Sequence, residues 1–453
     1  MNKLEIKGNV NYTGTFVILD KFVDIPNADF IKAAIIFGNS VIVSKDTQVG
    51  EKGIYFPTET KLDHRFLAEN NLYREASMGN VDPLKKGFFE NNGRIKAMRF
   101  RGSKSEGFWI PFSSLSYLEV SEKIFKEGVS FDTIDGKIIC QKYVVKTSSY
   151  TQTAKGKVAK LKDSIVENQF RFHFDTEQLV KNLHKITSDS YVSISSKWHG
   201  TSAVIAKPLV IRNLSWIEKI LSKIGVNIND KTYGLVYSSR RVIKAVNNIN
   251  KSNNIHFYDS DIWGEVANNI ESQIPNGISL YGEIVGYTPD GKMIQKGYHY
   301  GSDINEHKFV IYRVTITNSE GKVYEFSWPM MKEFCEKYGL IMVPELYYGP
   351  VLNIIHFDSG KTILSILNER GKWEERDFQE VFIETLRDNW VHDQNCEYNN
   401  FEVPAEGIVI RKDFLNEALN FKFKNFAFLE RESKLLDNGE EDMESSEFIE
   451  ISE

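Results

Sequence analysis

The segment Lys197-Trp198-His199-Gly200 combines a nucleophilic amine with a glycine three residues later. Residues 191–196 before it alternate apolar and small polar side chains, which predicts a strand that ends at the lysine. Gly200 then permits a tight turn close to a phosphate. A lysine amine has an ordinary pKa of about 10.4, so it attacks well only if nearby cations and partial burial lower that pKa. Taken alone, the segment also fits a solvated surface lysine.

Two glutamates lie beside glycines in apolar segments. Glu283 stands within the run 280–286, between Gly282 and Gly286, and Glu406 comes directly before the apolar run 407–410. A buried carboxylate without a partner is costly, so Glu283 needs a hydroxyl, a cation or a metal.

Arginine and lysine residues also lie in short segments that are predicted to be strands. Arg240 ends the segment 237–240, and Arg241 is next to it. Lys422 and Lys424 alternate with aromatic residues, so on a strand both point to one face. Two cations there could neutralise a phosphate in a transition state and lower the pKa of a neighbouring lysine. Each segment alone also fits a strand with solvated cations.

In this order the segments resemble the motifs of the covalent lysine nucleotidyltransferases, over about residues 193–424. The resemblance implies that the lysine attacks the α-phosphate of ATP and carries AMP as a phosphoramidate. It assigns ATP binding to Lys197, Gly200, Arg240, Glu283, Phe309, Glu406, Lys422 and Lys424, and catalysis to Lys197, Lys422 and Lys424. Glu283 would reach the ribose, the aromatic Phe309 would stack on the base, and Glu406, with Glu283, would bind or orient Mg²⁺ or Mn²⁺. Phe309 alone also fits a core residue.

Within this superfamily the chain looks like an ATP-dependent RNA ligase and resembles the RNA ligase 5 family. His199 stands where DNA ligases and capping enzymes usually carry aspartate, and those enzymes place a further domain after the last lysine motif. The segments 173–179 and 343–349 also resemble that family, and residues 208–232 and 353–399 look like insertions. The implied activity seals 3′-OH and 5′-phosphate RNA ends through lysyl-AMP and RNA-adenylate, as in RNA repair.

Two other functions remain open from the sequence. One is a non-catalytic RNA-binding protein that keeps the fold, although a retired site has no reason to retain its lysines and glutamates. The other is a DNA ligase or capping-type nucleotidyltransferase. The sequence does not choose between single-stranded RNA ends and a nicked duplex with RNA on the 3′-OH side.

The predicted fold class is α+β, with an N-terminal OB-like β-barrel before a mixed antiparallel-sheet nucleotidyltransferase (ATP-grasp-like ligase) domain. Short strand candidates separated by turns indicate a small barrel: 31–37, 41–43, 53–56, 95–101, 108–111 and 138–140. The expected domains are 1–165, which ends in a basic linker, 166–436, and an acidic, disordered tail at 437–453. Apolar residues at helical spacing between Leu214 and Ile224 predict a helix that packs on the body.

Composition places few limits on partners. The chain has 453 residues and a net charge of −6, and its last seventeen residues hold eight acidic residues and no Lys or Arg. Cys140, Cys335 and Cys396 lack metal-ligand spacing and indicate reduced thiols. Without an apolar signal region or a membrane span, we expect a cytoplasmic protein, with a monomer favoured.

Basic and aromatic residues interleave in the N-terminal region, a pattern that suits phosphate and base contacts. The candidate RNA-binding residues are Arg94, Arg99, Arg101, Lys104 and Trp109. A solvated strand face with core aromatics fits the same pattern. We therefore expect removal of this region to impair RNA joining more than reaction with ATP.

Overall fold

The computed structural model describes residues 3–144, 161–246, 251–252 and 260–438. Within them, helices and largely antiparallel sheets are both extensive, so the α+β class is confirmed. No helix in these ranges is long and apolar enough to cross a membrane.

The N-terminal part, residues 3–144, is built mainly from short strands. They are β1 (Leu4–Glu5), β2 (Gly14–Ile18), β3 (Phe22–Asp24), β4 (Ile31–Ile36), β5 (Asn39–Ser44), β6 (Lys52–Pro57), β7 (Thr60–Leu62), β8 (Met98–Phe100), β9 (Ser103–Ser105), β10 (Gly107–Pro111), β11 (Ser130–Phe131), β12 (Thr133–Ile134), β13 (Lys137–Ile138) and β14 (Cys140–Lys142). Helix α1 spans His64–Glu69. Each predicted strand overlaps at least one of these elements, although residues 95–97 of the predicted strand 95–101 lie before β8.

A closed barrel is not confirmed for this part of the chain. The pairings in residues 3–144 give separate open sheets, in the orders β10-β6-β2-β11, β3-β4-β5, β1-β12-β13, β14-β7 and β8-β9. Alternate residues of the central sheet enter different cores, with Phe16, Ile54 and Phe56 in one and Val17 and Tyr55 in the other. Because side chains alternate along a strand, this sheet is buried on both faces and forms a middle layer.

The C-terminal part, residues 161–438 with the gaps given above, holds the predicted catalytic residues; it is called the catalytic part below and contains two larger sheets. Its strands are β15 (Glu177–Gln178), β16 (Tyr191–Lys197), β17 (Thr201–Ala206), β18 (Leu209–Ile211), β19 (Lys231–Tyr233), β20 (Val236–Ser238), β21 (Ile243–Val246), β22 (Lys251–Ser252), β23 (Ile278–Gly286), β24 (His307–Thr317), β25 (Val323–Glu325), β26 (Glu345–Pro350), β27 (Ile355–His356), β28 (Lys361–Thr362), β29 (Gly407–Asp413) and β30 (Ala418–Lys424). Its helices are α2 (Trp216–Lys223), α3 (Ile262–Ile270), α4 (Trp328–Tyr338), α5 (Ile363–Arg370), α6 (Glu375–Leu386) and α7 (Phe426–Asp437).

Each large sheet has its own helical cover. The five-stranded sheet, β15-β30-β29-β16-β26, packs against α5 and α6. The seven-stranded sheet, β22-β21-β20-β17-β23-β24-β25, packs against α3 and α4. The faces that these two cores leave open meet at the cavity described below.

Helix α2 forms where the spacing predicts, after the N-cap residue Ser215. Its apolar side chains are nevertheless exposed, by 72% for Trp216, 51% for Ile217 and Ile220, and 71% for the following Ile224. The prediction that this face packs on the body is therefore wrong. Periodicity shows which residues share a helix face but not what covers that face.

The two parts of the chain are hydrogen-bonded to each other beside β15. The Asn11 side chain donates to the Thr176 carbonyl at 2.9 Å and accepts from the Gln178 backbone at 2.8 Å. Lys181 donates to the Thr13 hydroxyl at 2.6 Å, and burial lowers the pKa of this lysine to about 8. Since β15 also pairs with β30, the N-terminal part is tied to the strand that carries the predicted catalytic lysines.

The predicted linker and tail lie largely outside the described residues, at 145–160 and 439–453. The described end of the linker is buried, with Leu161 and Ile165 packed against Val210 and Val236. Residues from Leu161 onward therefore belong to the packing of the catalytic part.

Candidate active site

The five-stranded sheet brings the predicted lysines together on one face. Three rungs of directly opposed residues cross β16, β29 and β30: Lys197–Gly407–Lys424, Ser195–Val409–Lys422 and Ser193–Arg411–Asn420. Opposed residues of neighbouring antiparallel strands point to the same side of a sheet. The sequence predicts which side chains of one strand share a face. Only the register of the structure shows that the lysines of β16 and β30 lie on the same face of the sheet.

This face borders a cavity of about 360 Å³. The predicted residues Lys197, Arg240, Glu283, Lys422 and Lys424 all line it. The seven-stranded sheet forms the opposite wall, and the strap 173–177 and the N-terminal part contribute further residues. The volume falls in the range of small-molecule sites.

Glu406 does not itself line the cavity, but one of its oxygens contacts the ammonium groups of two lining lysines at the end of the cavity marked by Lys197, which we call its head. Its Oε1 is 2.6 Å from Lys197 Nζ and 3.3 Å from Lys424 Nζ. Glu406 itself is 2% exposed. The predicted nucleophile therefore starts from a partly buried ion pair with the residue that we expected to handle the metal.

Lys422 lies half-buried in the cavity wall, on the same strand as Lys424. Burial, together with the nearby charge of Lys424, lowers the pKa of Lys422 to about 7. Asp175 opposes this shift. Such a lysine carries a positive charge when an anion is bound beside it, and it readily loses its proton when no anion is present.

Glu283 and Gly200 meet across two neighbouring strands. Glu283 on β23 is 6% exposed and lies opposite Ser202 of β17. A Cβ atom on Gly200 would lie only 2.4 Å from the Ile284 carbonyl oxygen. The glycine is therefore required by the close packing of β23 against the turn that follows Lys197, a reason that the sequence did not supply.

The structure distinguishes Arg240 from its neighbour Arg241. Arg240 lines the cavity and forms a hydrogen-bonded ion pair with Asp175, whereas the guanidinium of Arg241 is 3.8 Å from that carboxylate. Burial opposes ionisation of Asp175, but the charge and hydrogen bond of Arg240 outweigh it and lower the pKa of Asp175 to about 2. Asp175 lies in the segment 173–179 that resembles the family, but the sequence gave it no role.

Tyr312 takes the cavity position that was expected for Phe309. Phe309 is 7% exposed and packs in the core, where a Cβ on Gly282 would lie 2.5 Å from its ring. Further along β24, Arg313 pairs with Tyr281 and Ile311 with Gly282, which leaves Tyr312 as the extra residue of a bulge. Tyr312 and Arg313 consequently both line the cavity. The structure gives the aromatic wall to Tyr312 and not to Phe309.

The carboxylates fit a cation that keeps most of its ligands from phosphate and water. In the described ranges no three His, Cys, Asp or Glu side chains form a metal cage. Glu283 and Glu406 each offer a single buried carboxylate near Lys197, which suits Mg²⁺ or Mn²⁺ bound together with a nucleotide. Their metal-binding role stays a prediction.

The sequence model of the RNA ligase family matches residues 190–426, the segment that contains the whole arrangement described above. This chain belongs to the RNA ligase family. No curated protein sequence matches the ligase.

The fold of the ligase is similar to that of solved RNA ligase structures from Naegleria gruberi. A mutant with AMP and Mn aligns with a TM-score of 0.53 at 12% identity, over 92% of this chain and 98% of that chain. The Naegleria ligase with PPi aligns with a TM-score of 0.51 at 13% identity, over 93% and 98%. At these identities the likeness concerns the fold, and it extends over both parts of the chain.

The N-terminal part of the ligase supplies cavity residues that sequence analysis missed. Asn9, Tyr12 and Lys142 line the cavity, and the Asn9 amide donates to Asp175 at 2.7 Å. The Lys142 ammonium lies 5.7 Å from the centre of the Tyr12 ring. No local signal marks these residues, because they reach the site only through the docking of the two parts.

The predicted RNA-binding residues Arg94 and Trp109 are buried in the ligase. The Arg94 side chain is fully buried, 3.0 Å from Glu59 and 3.5 Å from Asp437. Trp109 is 6% exposed and packs with Tyr55 in an N-terminal core. Neither side chain presents a surface that RNA could contact.

Arg99 and Lys104 lie at the interface with the catalytic part. Both approach Asp393, at 3.6 Å and 3.1 Å, and both lie over the ring of Phe426. Of the five candidates, Arg101 remains on the surface, where it donates to the Asn27 carbonyl. The interleaved pattern therefore reflects packing between the two parts at Arg94, Arg99 and Lys104 and core packing at Trp109, which leaves Arg101 as the remaining candidate for RNA contact.

Proposed function

We propose that the ligase seals 3′-OH and 5′-phosphate RNA ends with ATP, through lysyl-AMP and RNA-adenylate. The observation that carries this proposal is the Lys197–Glu406 contact of 2.6 Å at the head of a cavity large enough for a nucleotide. Each step is a displacement at phosphorus, so orientation and charge neutralisation supply most of the catalysis.

In the first step, Lys197 Nζ forms a bond to the α-phosphorus of ATP. The bond to the bridging oxygen breaks, and pyrophosphate leaves with that electron pair. The amine must lose its protons, and the Glu406 oxygen at 2.6 Å is placed to receive one. Lys424, on the same rung of the sheet, remains as a cation beside the reacting phosphate.

In the second step, a 5′-phosphate oxygen of RNA attacks the AMP phosphorus, the N–P bond breaks and the lysine takes up a proton. In the third, the RNA 3′-hydroxyl loses its proton to solvent, its oxygen bonds to the activated 5′-phosphorus, and AMP leaves with the electron pair of the broken P–O bond. Lys422 and Lys424 face this region throughout. Arg240, held by Asp175, contributes a fixed guanidinium on the same cavity.

A bound Mg²⁺ or Mn²⁺ would neutralise phosphate charge, and Glu283 and Glu406 are the residues that we propose to hold or orient it. We further propose that the N-terminal part is related to the OB fold and helps to place the nucleotide. We also propose that the substrates include nicked duplexes with RNA on the 3′-OH side. Cytoplasmic location and a monomeric state are proposals from composition.

The proposal is tested by ATP labelled at the α-phosphate and by joining assays on matched nicked and single-stranded RNA. We expect an acid-labile protein adduct with ATP and joined RNA that depends on a 5′-phosphate. A protein that binds RNA but forms no adduct would be a non-catalytic relative. An adduct formed from GTP would indicate a capping-type reaction, and efficient joining of all-DNA nicks would indicate a DNA ligase.

A further inference from the structure

The inner end of the nucleotide cavity holds charged side chains for which the proposed steps have no use. Arg411 on β29 and Glu325 at the end of β25 both line the cavity, and they are 2% and 8% exposed. The second arginine there, Arg313, also lines it. Arg411 ends the segment 404–411 that resembles a family motif, but the resemblance gave it no role, and Glu325 and Arg313 lie outside the quoted motifs.

These groups leave hydrogen-bonding atoms unsatisfied inside the protein. Glu325 Oε2 accepts from Arg313 Nη2 at 2.6 Å, and Arg411 Nε donates to Asp413 at 2.6 Å. Glu325 Oε1 and Arg411 Nη1 form an ion pair at 3.0 Å, but neither atom makes a hydrogen bond among the described residues. The ion pair balances the two charges and leaves the hydrogen-bonding capacity of both atoms unused at a cavity wall, where a polar ligand would use it.

Their position corresponds to the far end of a bound nucleotide. Arg411 stands on the third rung, four residues along β29 from Gly407, which is opposite Lys197. At roughly 3.3 Å per residue, this places the third rung about 13 Å from the nucleophile along the strand. Val409 on the middle rung and Tyr312 on the opposite wall lie between the two ends and are suited to contact the faces of a flat base.

We infer that Glu325 and Arg411 read the hydrogen-bonding edge of the nucleotide base and select adenine. This inference rests on the proposed reaction with a nucleoside triphosphate. The 6-amino group of adenine donates to Glu325 Oε1, and a ring nitrogen accepts from Arg411 Nη1. In the same pose guanine or hypoxanthine would place its 6-oxo group against the carboxylate and a ring N–H against the guanidinium, so both contacts would become repulsive.

Arg313 positions the carboxylate in this scheme. Its guanidinium bonds the other oxygen of Glu325 and lies between the rings of Tyr281 and Phe174, at 4.9 Å and 5.0 Å from their centres. The planar cation is therefore fixed on both faces, which leaves Glu325 Oε1 as the oxygen that is directed to the base.

The test compares lysyl-nucleotide formation from three triphosphates that differ at position 6 of the purine. These are ATP, inosine triphosphate and purine riboside triphosphate, which lacks the amino group. For the unmodified ligase we expect kcat/KM to favour ATP by roughly ten- to a hundred-fold over both analogues, because a hydrogen bond to a charged group is lost or replaced by repulsion. Glu325→Gln, whose amide can donate to a 6-oxo group, should narrow the ratio of ATP to inosine triphosphate by about ten-fold or more.

Glu320→Gln is the matched control, because that exposed carboxylate lies on the turn before β25, 3.8 Å from Lys322, and is not a cavity residue. It should leave the ratio unchanged. Equal use of ATP and purine riboside triphosphate by the unmodified ligase would overturn the inference even if Glu325→Gln does not fold, and so would a preference for the 6-oxo nucleotide. Failure of every triphosphate to give an adduct would instead reject the proposed reaction itself.

Discussion

Lys197 and Glu406 form a partly buried ion pair, with Nζ and Oε1 2.6 Å apart, although their positions differ by 209 in the sequence. The contact exists because the last residue of β16 lies opposite the first residue of β29. The carboxylate therefore does more than the metal role expected from sequence, since it also holds the amine at the cavity head.

Replacement of Glu406 by glutamine should slow lysyl-AMP formation by roughly 100-fold or more, because the amine loses its nearest proton acceptor. The rate should be measured in single turnover over a range of Mg²⁺ concentrations. Glu432→Gln is the matched control, since Glu432 on α7 lies 3.3 Å from Lys424. Equal rates for the Glu406 variant and the unmodified ligase, with unchanged metal dependence, would remove Glu406 from the reaction.

Nucleotide binding should weaken as the pH rises above neutrality because of Lys422. Its pKa in the free protein is about 7, so below that pH the side chain is already charged, and above it binding to a phosphate requires proton uptake. We expect ATP affinity to fall by up to about ten-fold per pH unit above 7 until the pKa in the complex is reached. Titration calorimetry in buffers of different ionisation enthalpy would report the proton, and Lys422→Gln should abolish the uptake. Binding without proton uptake at pH 8 would contradict this assignment.

Tyr312 and Phe309 should respond differently to truncation. Tyr312→Leu should raise the KM for ATP roughly ten-fold by removing a face for the base, with little change in melting temperature. Phe309→Ala should instead cost about 3–5 kcal/mol of stability, because it empties a core position beneath Gly282. Thermal melts and adenylylation kinetics on both variants separate the two roles. A raised KM in a stable Phe309 variant would restore the base-stacking role first expected for Phe309.

Removal of residues before Leu161 should impair reaction with ATP as well as RNA joining, in contrast to the expectation from sequence. Asn9, Tyr12 and Lys142 line the nucleotide cavity, and β15 is held between the N-terminal part and β30. The truncated protein should be compared with a chain that ends at Asn438, which lacks only the acidic segment 439–453 and should remain active. Normal adenylylation by the N-terminally truncated protein would refute this role.

The sequence predicted the reactive residues of the site better than the residues that surround them in the cavity. Lys197, Glu283 and Lys422 could be found because each lies in a short segment whose residue types suit one task. Asp175 and Tyr312 could not, because one depends on a strap folding over the cavity and the other on a bulge in β24.

Surface and packing were harder to separate from sequence. The basic and aromatic pattern around Arg99 has the composition of an RNA-binding strand, yet its partners Asp393 and Phe426 come from a distant part of the chain. Helix α2 shows the opposite case, since its apolar face is exposed at Trp216. In both, the outcome depends on which surfaces meet in three dimensions, which local periodicity does not encode.

The most direct test is to incubate the ligase with ATP and Mg²⁺ and to locate the added AMP by peptide mass spectrometry. The account predicts one AMP, on Lys197, with no adduct on Lys197→Ala but an unchanged adduct on Lys231→Ala, a lysine at the exposed start of β19. The Lys197 variant should still join RNA that carries a pre-formed 5′-adenylate, because that step needs no attack by the lysine. AMP on another residue, or an adduct that survives in Lys197→Ala, would contradict the central claim.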